Sequence, residues 1–203
     1  MRSVQFLVFF SIVILIYGLV NFYIYRHGMM ALPQGMTFRR WYPWIFLFLS
    51  ASYIIGRVLE RVWISPVSTF FTFVGSFWLA LMVYFLMAVL VIDLVRLILF
   101  ILPGKPHFAA ANYTEIKKYL FFSITALVSL VVLAGHINAI TPRVTRLDLK
   151  IAKKAGSMKN LHIAAASDIH MGTLVGPRRT AQLVRMLNER KADIILLAGA
   201  FHR

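Results

Sequence analysis

Asp168 and His170 are an oxygen donor and a nitrogen donor two positions apart. Held in one loop, both can turn toward a single ion. A mixed carboxylate and imidazole pair suits a borderline divalent metal such as Mn, Fe or Zn. Asp-x-His alone is a common pattern, and its surroundings give it meaning. Residues 160–166 are a short apolar run rich in Ile and Ala, of a length that suits a buried strand. The loop Ser167-Asp168-Ile169-His170-Met171-Gly172 follows directly, and residues 193–198 form a second run, DIILLA, closed by Gly199.

Between the two runs the period changes. Pro177 suits the first turn of a helix, where its missing N–H is not needed. Thr180, Leu183, Val184 and Leu187 then recur at i, i+3, i+4 and i+7, an amphipathic face that can pack on a sheet. Lys191-Ala192 ends that helix. Strand, helix and strand within about 40 residues make a β-α-β unit with a parallel pair. Ligands of such sheets gather beyond the carboxyl ends of the strands. Asp168 and His170 lie at one such end and residue 200 at the adjacent one.

The run SDIHMG, followed by DIILLAG, resembles the calcineurin-like metallophosphoesterase superfamily. More narrowly it is similar to the bacterial branch in which several transmembrane helices precede the phosphoesterase domain. The last 45 residues or so carry the catalytic part of this resemblance. The resemblance implies a two-layered β-sandwich flanked by helices, two divalent metal ions of the Mn, Fe or Zn type, and hydrolysis of a phosphate ester or pyrophosphate bond. It implies Asp168 and His170 as ligands of one ion. It also implies a carboxylate shared by both ions after the second strand, and that position holds Ala200. The family's later Asn-His and Gly-His-x-His motifs do not occur in the 203 residues. Two divalent ions about 3.5–4 Å apart repel, and the shared carboxylate spaces and neutralises them. The expectation is therefore a truncated chain that is inactive by itself, with weak metal binding. A lone β-α-β unit cannot cover both faces of its sheet, so marginal order is expected after about residue 156. The resemblance further implies a phospholipid or nucleotide-lipid substrate, such as a UDP-diacylglucosamine pyrophosphate bond.

The elements that must carry this unit are of another kind. The chain is 60% hydrophobic and 14% charged, with a mean hydropathy of +0.77. A soluble domain has nearer a quarter of its residues charged. Four apolar runs are long enough to cross a bilayer, over residues 4–25, 42–59, 70–92 (extending to 102) and 119–139. The first is too long for a signal-peptide core and has no small-x-small site after it, so it reads as a retained helix. The third is continuous from 67 to 102 with no Gly, Pro or Asn after Gly75, which favours one long helix over a hairpin. The expected fold is a membrane all-α region followed by a partial α/β metallophosphoesterase domain: an anchor over 1–140, a basic juxtamembrane linker over 141–158, and the phosphoesterase fragment over 159–203.

Several details attach to the anchor. Tyr23, Tyr25 and Arg26 read as an interfacial end, and residues 26–40 as a loop broken by Gly28, Pro33 and Gly35. Trp41, Tyr42 and Trp44 read as an aromatic belt. Arg57 and Arg61 flank Glu60, a partner at helical spacing, and Asp93 and Arg96 can pair at i, i+3. His136, at a membrane edge, is read as bonded to backbone rather than as a ligand.

The net charge of +15 arises from basic residues that mostly flank the apolar runs, which speaks for lipid contact and against a nucleic-acid partner. Arg143, Arg146, Lys150, Lys153 and Lys154 form a cluster just past the fourth run and are the candidate headgroup contacts. With no cysteine, disulfides and thiolate metal sites are excluded. Four spans put both termini on one side. The basic residues are nearly balanced between the two sides, and the expectation is a cytoplasmic C-terminal part in a bacterial inner membrane. Two functions compete: a membrane-anchored metallophosphoesterase, and a non-catalytic integral membrane protein with a vestigial phosphoesterase tail.

Overall fold

The structure is a computed structural model that describes residues 2–101, 113–150, 152, 156, 160–167, 169 and 176–198. The chain divides into two compact units, Met1–Pro142 and Arg143–Arg203.

Among its described residues the first unit has four helices long and apolar enough to cross a membrane: α1 Arg2–Ala31, α2 Thr37–Val62, α3 Pro66–Ile101 and α4 Tyr113–Ile140. An α-helix pairs its interior backbone polar groups within itself, which a bilayer interior demands. Most large side chains on α1, α3 and α4 are exposed, among them Phe6, Phe9, Leu90, Leu97 and Leu130. That outer surface suits hydrocarbon rather than water. As expected from its unbroken apolar run, α3 is a single helix of 36 residues. At about 1.5 Å per residue it is roughly 54 Å long, well beyond a hydrocarbon core of about 30 Å.

The helix starts and stops have local causes. Ser65 caps α3, with Pro66 at its first position. The Ser68 N–H donates to Ser65 Oγ at 3.2 Å, and the Ser65 N–H donates to Ser68 Oγ at 2.9 Å. This reciprocal pair satisfies two backbone donors that a helix start leaves open. The turn between α1 and α2 is closed by the Arg39 guanidinium, which donates to the Leu32 carbonyl.

The helices extend past the apolar runs, and two local expectations are corrected. Gly28 does not break the chain but lies inside α1. A Cβ there would come within 2.0 Å of Tyr42 Oη, so Gly28 provides room for that ring. Tyr42 is not part of a surface belt: it is buried, stacked on Tyr25 with ring centroids 5.6 Å apart, whereas Trp41 and Trp44 are exposed. The small core is built from Ile24, Leu32, Tyr42, Phe46 and Trp78. Where α2 meets α3, the backbones nearly touch. A Cβ on Gly56 would lie 2.6 Å from Thr72 N, and one on Gly75 would lie 2.4 Å from Tyr53 Cα. Close approach through small residues is how membrane helices gain packing without a hydrophobic drive between them.

The second unit holds β1 Ile163–Ser167, α5 Pro177–Glu189 and β2 Ile194–Ala198. The strands pair in parallel, with Ile163 opposite Ile194 and Ser167 opposite Ala198. Pro177 opens α5 as expected, and Lys191, at φ 46°, turns the chain out of it. Thr180, Leu183 and Leu187 are half-buried, while Val184 and all of β2 are exposed.

Candidate functional site

The parallel register decides the geometry of the site. Ser167 and Ala198 are direct partners, so both strands end level. The chain leaves β1 toward residue 168 and leaves β2 toward residue 199 from adjacent points on one sheet edge. This is the edge at which ligands of parallel sheets bind. The opposite edge is fastened by Asp193. Its carboxylate accepts from the His162 N–H at 2.8 Å, and its own N–H donates to the His162 carbonyl at 2.8 Å. Asp193 and His162 thus join the amino ends of the strands, away from the candidate centre.

Asp168, His170 and Ala200 themselves lie outside the described residues. Among the described residues, no group of three or more His, Cys, Asp or Glu side chains could hold a metal ion. Of the residues expected there from the motif, Asp168 and His170 carry metal-donor side chains and Ala200 carries none. A catalytic zinc takes three protein ligands, and other divalent ions take six or more oxygens counting water. Two such donors alone are fewer than a two-metal centre needs.

Of the basic linker, Arg143, Arg146 and Lys150 are exposed, and Arg146 Nε lies 3.4 Å from Asp148 Oδ1. Lys153 and Lys154 lie outside the described residues.

In the anchor unit the expected pairs form. Arg57 Nη1 is 2.9 Å from Glu60 Oε2, and Arg96 Nη1 is 3.3 Å from Asp93 Oδ1. Asp93 is more than half of an ion pair, however. Tyr23 Oη donates to Asp93 Oδ2 at 2.5 Å, and His27 Nε2 lies 3.0 Å from the same oxygen. The cluster Tyr23, His27, Asp93 and Arg96 joins α1 to α3. The Asp93–Arg96 spacing is visible in the sequence, and the partners on α1 are not. The available signal was positional: Tyr23 and His27 are four apart near the end of the first apolar run, where a facing carboxylate is their natural partner. His136 packs its ring against Phe77, with centroids 4.8 Å apart.

No family model matches the chain, and no solved structure matches it. Among curated proteins, the chain is 27% identical over 197 residues to an uncharacterized metallophosphoesterase of Campylobacter jejuni. That match takes in 96% of this chain and 50% of the relative. It is 32% identical over 80 residues to a transmembrane protein with metallophosphoesterase domain from Danio rerio, which is 38% of this chain and 18% of that one. The protein of the same description from Bos taurus is 32% identical over 85 residues, 41% of this chain and 18% of its own length. The chain therefore spans at most half the length of these curated relatives. The first match covers the four helices and the β-α-β unit alike. On these likenesses, its four apolar helices and its motif, the chain is a relative of the membrane-anchored, calcineurin-like metallophosphoesterases.

Proposed function

We propose that the chain serves metal-dependent hydrolysis of a phosphate ester or pyrophosphate bond at a membrane surface, on a lipid-linked substrate. Asp168 and His170 are the ligands it contributes to one of two divalent ions. The observation that carries this reading is the level end of the parallel pair, Ser167 beside Ala198, immediately before Asp168 and Gly199. A metal bound there supplies Lewis acidity and a water that ionises near neutral pH. Arg143, Arg146, Lys150, Lys153 and Lys154 attract the anionic cytoplasmic leaflet of a bacterial inner membrane, each by about 1 kcal/mol near the surface. They hold the unit where lipid phosphates lie.

Ala200 favours a second reading, a vestigial centre on a non-catalytic membrane protein. Calorimetry with Mn²⁺ separates the two. The Ala200→Asp variant is expected to bind Mn²⁺ more tightly than the natural chain, and Asp168→Ala or His170→Ala in that background abolishes the gain. If Ala200→Asp adds no binding, or if binding ignores Asp168 and His170, the metallophosphoesterase reading fails. The natural chain is expected to show no Mn²⁺-dependent turnover of a generic phosphodiester. Turnover that vanishes with Asp168→Ala would mean that further ligands reach the site from outside these residues.

A further inference from the structure

The four-helix unit contains an open, almost wholly apolar groove with a volume of about 300 Å³. Phe46, Trp78, Leu81, Phe85, Leu120 and Phe121 line it. Its polar lining includes three basic side chains from three helices: His27 of α1, Arg96 of α3 and Lys117 of α4. α1 and α3 are near their last residues at His27 and Arg96, and α4 is near its first at Lys117. The hydrogen bonds from Tyr23 and His27 to Asp93 confirm that the ends of α1 and α3 adjoin. The basic groups thus sit together at one end of the groove. This is the end of the unit opposite Ile140, where α4 finishes.

We propose that this groove binds one anionic phospholipid of the bilayer. Its phosphate rests between Arg96 and Lys117, and one acyl chain runs down toward Trp78. The charge at the mouth is complementary to a phosphate. The described lining residues there include two fixed cations and a histidine, and the one adjoining acid, Asp93, offsets one of those charges. Arg96 is oriented in advance. Asp93 holds one face of its guanidinium at 3.3 Å, and Tyr23 and His27 hold Asp93 in turn. A guanidinium carries five N–H donors, so donors remain for phosphate oxygens. Lys117 is steadied over the Tyr113 ring at 3.9 Å.

The depth agrees as well. At about 1.5 Å per residue the groove follows α4 for roughly 18 Å from Lys117 to Ser129 and α3 for roughly 27 Å from Arg96 to Trp78, within a hydrocarbon core of about 30 Å. A choline headgroup would bring its quaternary ammonium beside Arg96 and Lys117, so the site discriminates against zwitterionic lipid. The inference stands apart from the phosphoesterase reading, because it uses only the anchor.

Trp78 reports on the groove. In the 203-residue chain with Trp41, Trp44 and Trp63 changed to Phe, Trp78 is the one remaining tryptophan. This protein is reconstituted into dioleoyl-phosphatidylcholine vesicles doped with brominated-chain phosphatidylglycerol or brominated-chain phosphatidylcholine. Brominated phosphatidylglycerol is expected to quench Trp78 at about a tenfold lower mole fraction than brominated phosphatidylcholine, given two basic groups at the surface. Arg96→Gln with Lys117→Gln removes that preference while maximal quenching persists, which also shows that the groove remains folded. Should the double variant fail to fold, Lys117→Gln alone reduces the preference. Ser129→Phe, which fills the groove, lowers maximal quenching by both lipids. Equal quenching by the two lipids, or a preference that survives loss of both cations, overturns the proposal. Trp78 that neither lipid quenches also overturns it, since a second copy or another helix would then fill the groove.

Discussion

Trp78 donates its indole N–H to Asn21 Oδ1 across 3.0 Å, and the two residues are 3% and 6% exposed. Asn21 Nδ2 donates in turn to the Tyr17 carbonyl at 2.8 Å, and Tyr17 Oη donates to the Ser50 carbonyl at 2.6 Å. One polar relay thereby joins α1, α2 and α3 in a setting with no water to replace a lost partner. Asn21→Ala leaves a buried indole donor unpaired, at a cost of about 1–3 kcal/mol. In a double-mutant cycle with Trp78→Phe, the coupling is expected at about 0.6 kcal/mol or more, the average for hydrogen bonds between membrane helices, and no more than about 1.7 kcal/mol. Unfolding of the four variants in mixed micelles measures it. A coupling near zero would mean that Asn21 finds another partner once Trp78 is gone.

The crossing of α2 and α3 makes a sharper test. At Gly56 and Gly75 an added Cβ meets backbone atoms, which cannot rotate aside. At Gly18 and Gly135 it meets nothing within 4 Å. Gly56→Ala and Gly75→Ala are expected to destabilise the unit by about 1–3 kcal/mol each through overpacking. Gly18→Ala and Gly135→Ala, at open helix positions, are expected to be neutral or stabilising by up to about 1 kcal/mol. Thermal denaturation in detergent ranks the four, and equal effects would contradict the close crossing.

Beside that crossing, Thr72 Oγ1 is buried without a hydrogen-bond partner. Thr72→Val keeps the shape and removes a desolvated hydroxyl. The expected result is a gain of about 1 kcal/mol, since an unsatisfied buried polar group costs about 1–3 kcal/mol. A loss of stability in the same denaturation assay would show that the hydroxyl is bonded in the membrane, most directly to the carbonyl one turn earlier.

What could be read in advance follows from where the information sits. Crossing a bilayer requires long uninterrupted apolar runs, so the four helices, including the unbroken α3, were legible locally. The β-α-β unit was legible for a similar reason: its motif, its helix period and Pro177 all lie within 40 residues or so. Interhelical partners were not. Gly28 looks like a breaker until Tyr42 is brought against it, and Asp93 looks like half of a pair with Arg96 until Tyr23, 70 residues away, supplies the missing donor. Small and polar residues inside apolar runs are ambiguous in sequence, since the same types serve loops and helix contacts. The candidate centre is the reverse case. Asp168 and His170 are proposed on motif alone, and the described fold contributes the level strand ends that precede them.

The number of crossings can be tested directly because the chain has no cysteine. Gln34 lies in the turn between α1 and α2, Ile64 between α2 and α3, and Val144 beyond α4. Each is exposed, so a single cysteine at each position reports its side of the membrane to an impermeant maleimide. One crossing separates Gln34 from Ile64, and α3 and α4 separate Ile64 from Val144. Ile64→Cys and Val144→Cys are therefore expected to label together, and Gln34→Cys from the opposite face. The outcome is decisive for α3. Were its 36 residues to cross twice, three crossings would lie between Ile64 and Val144, and those two sites would label from opposite faces. The same experiment in intact cells assigns the side of the basic linker. Protection of Val144→Cys until the cells are opened is the result the cytoplasmic placement requires, and labelling of Val144→Cys from outside would remove the anionic inner leaflet as the partner of Arg143, Arg146 and Lys150.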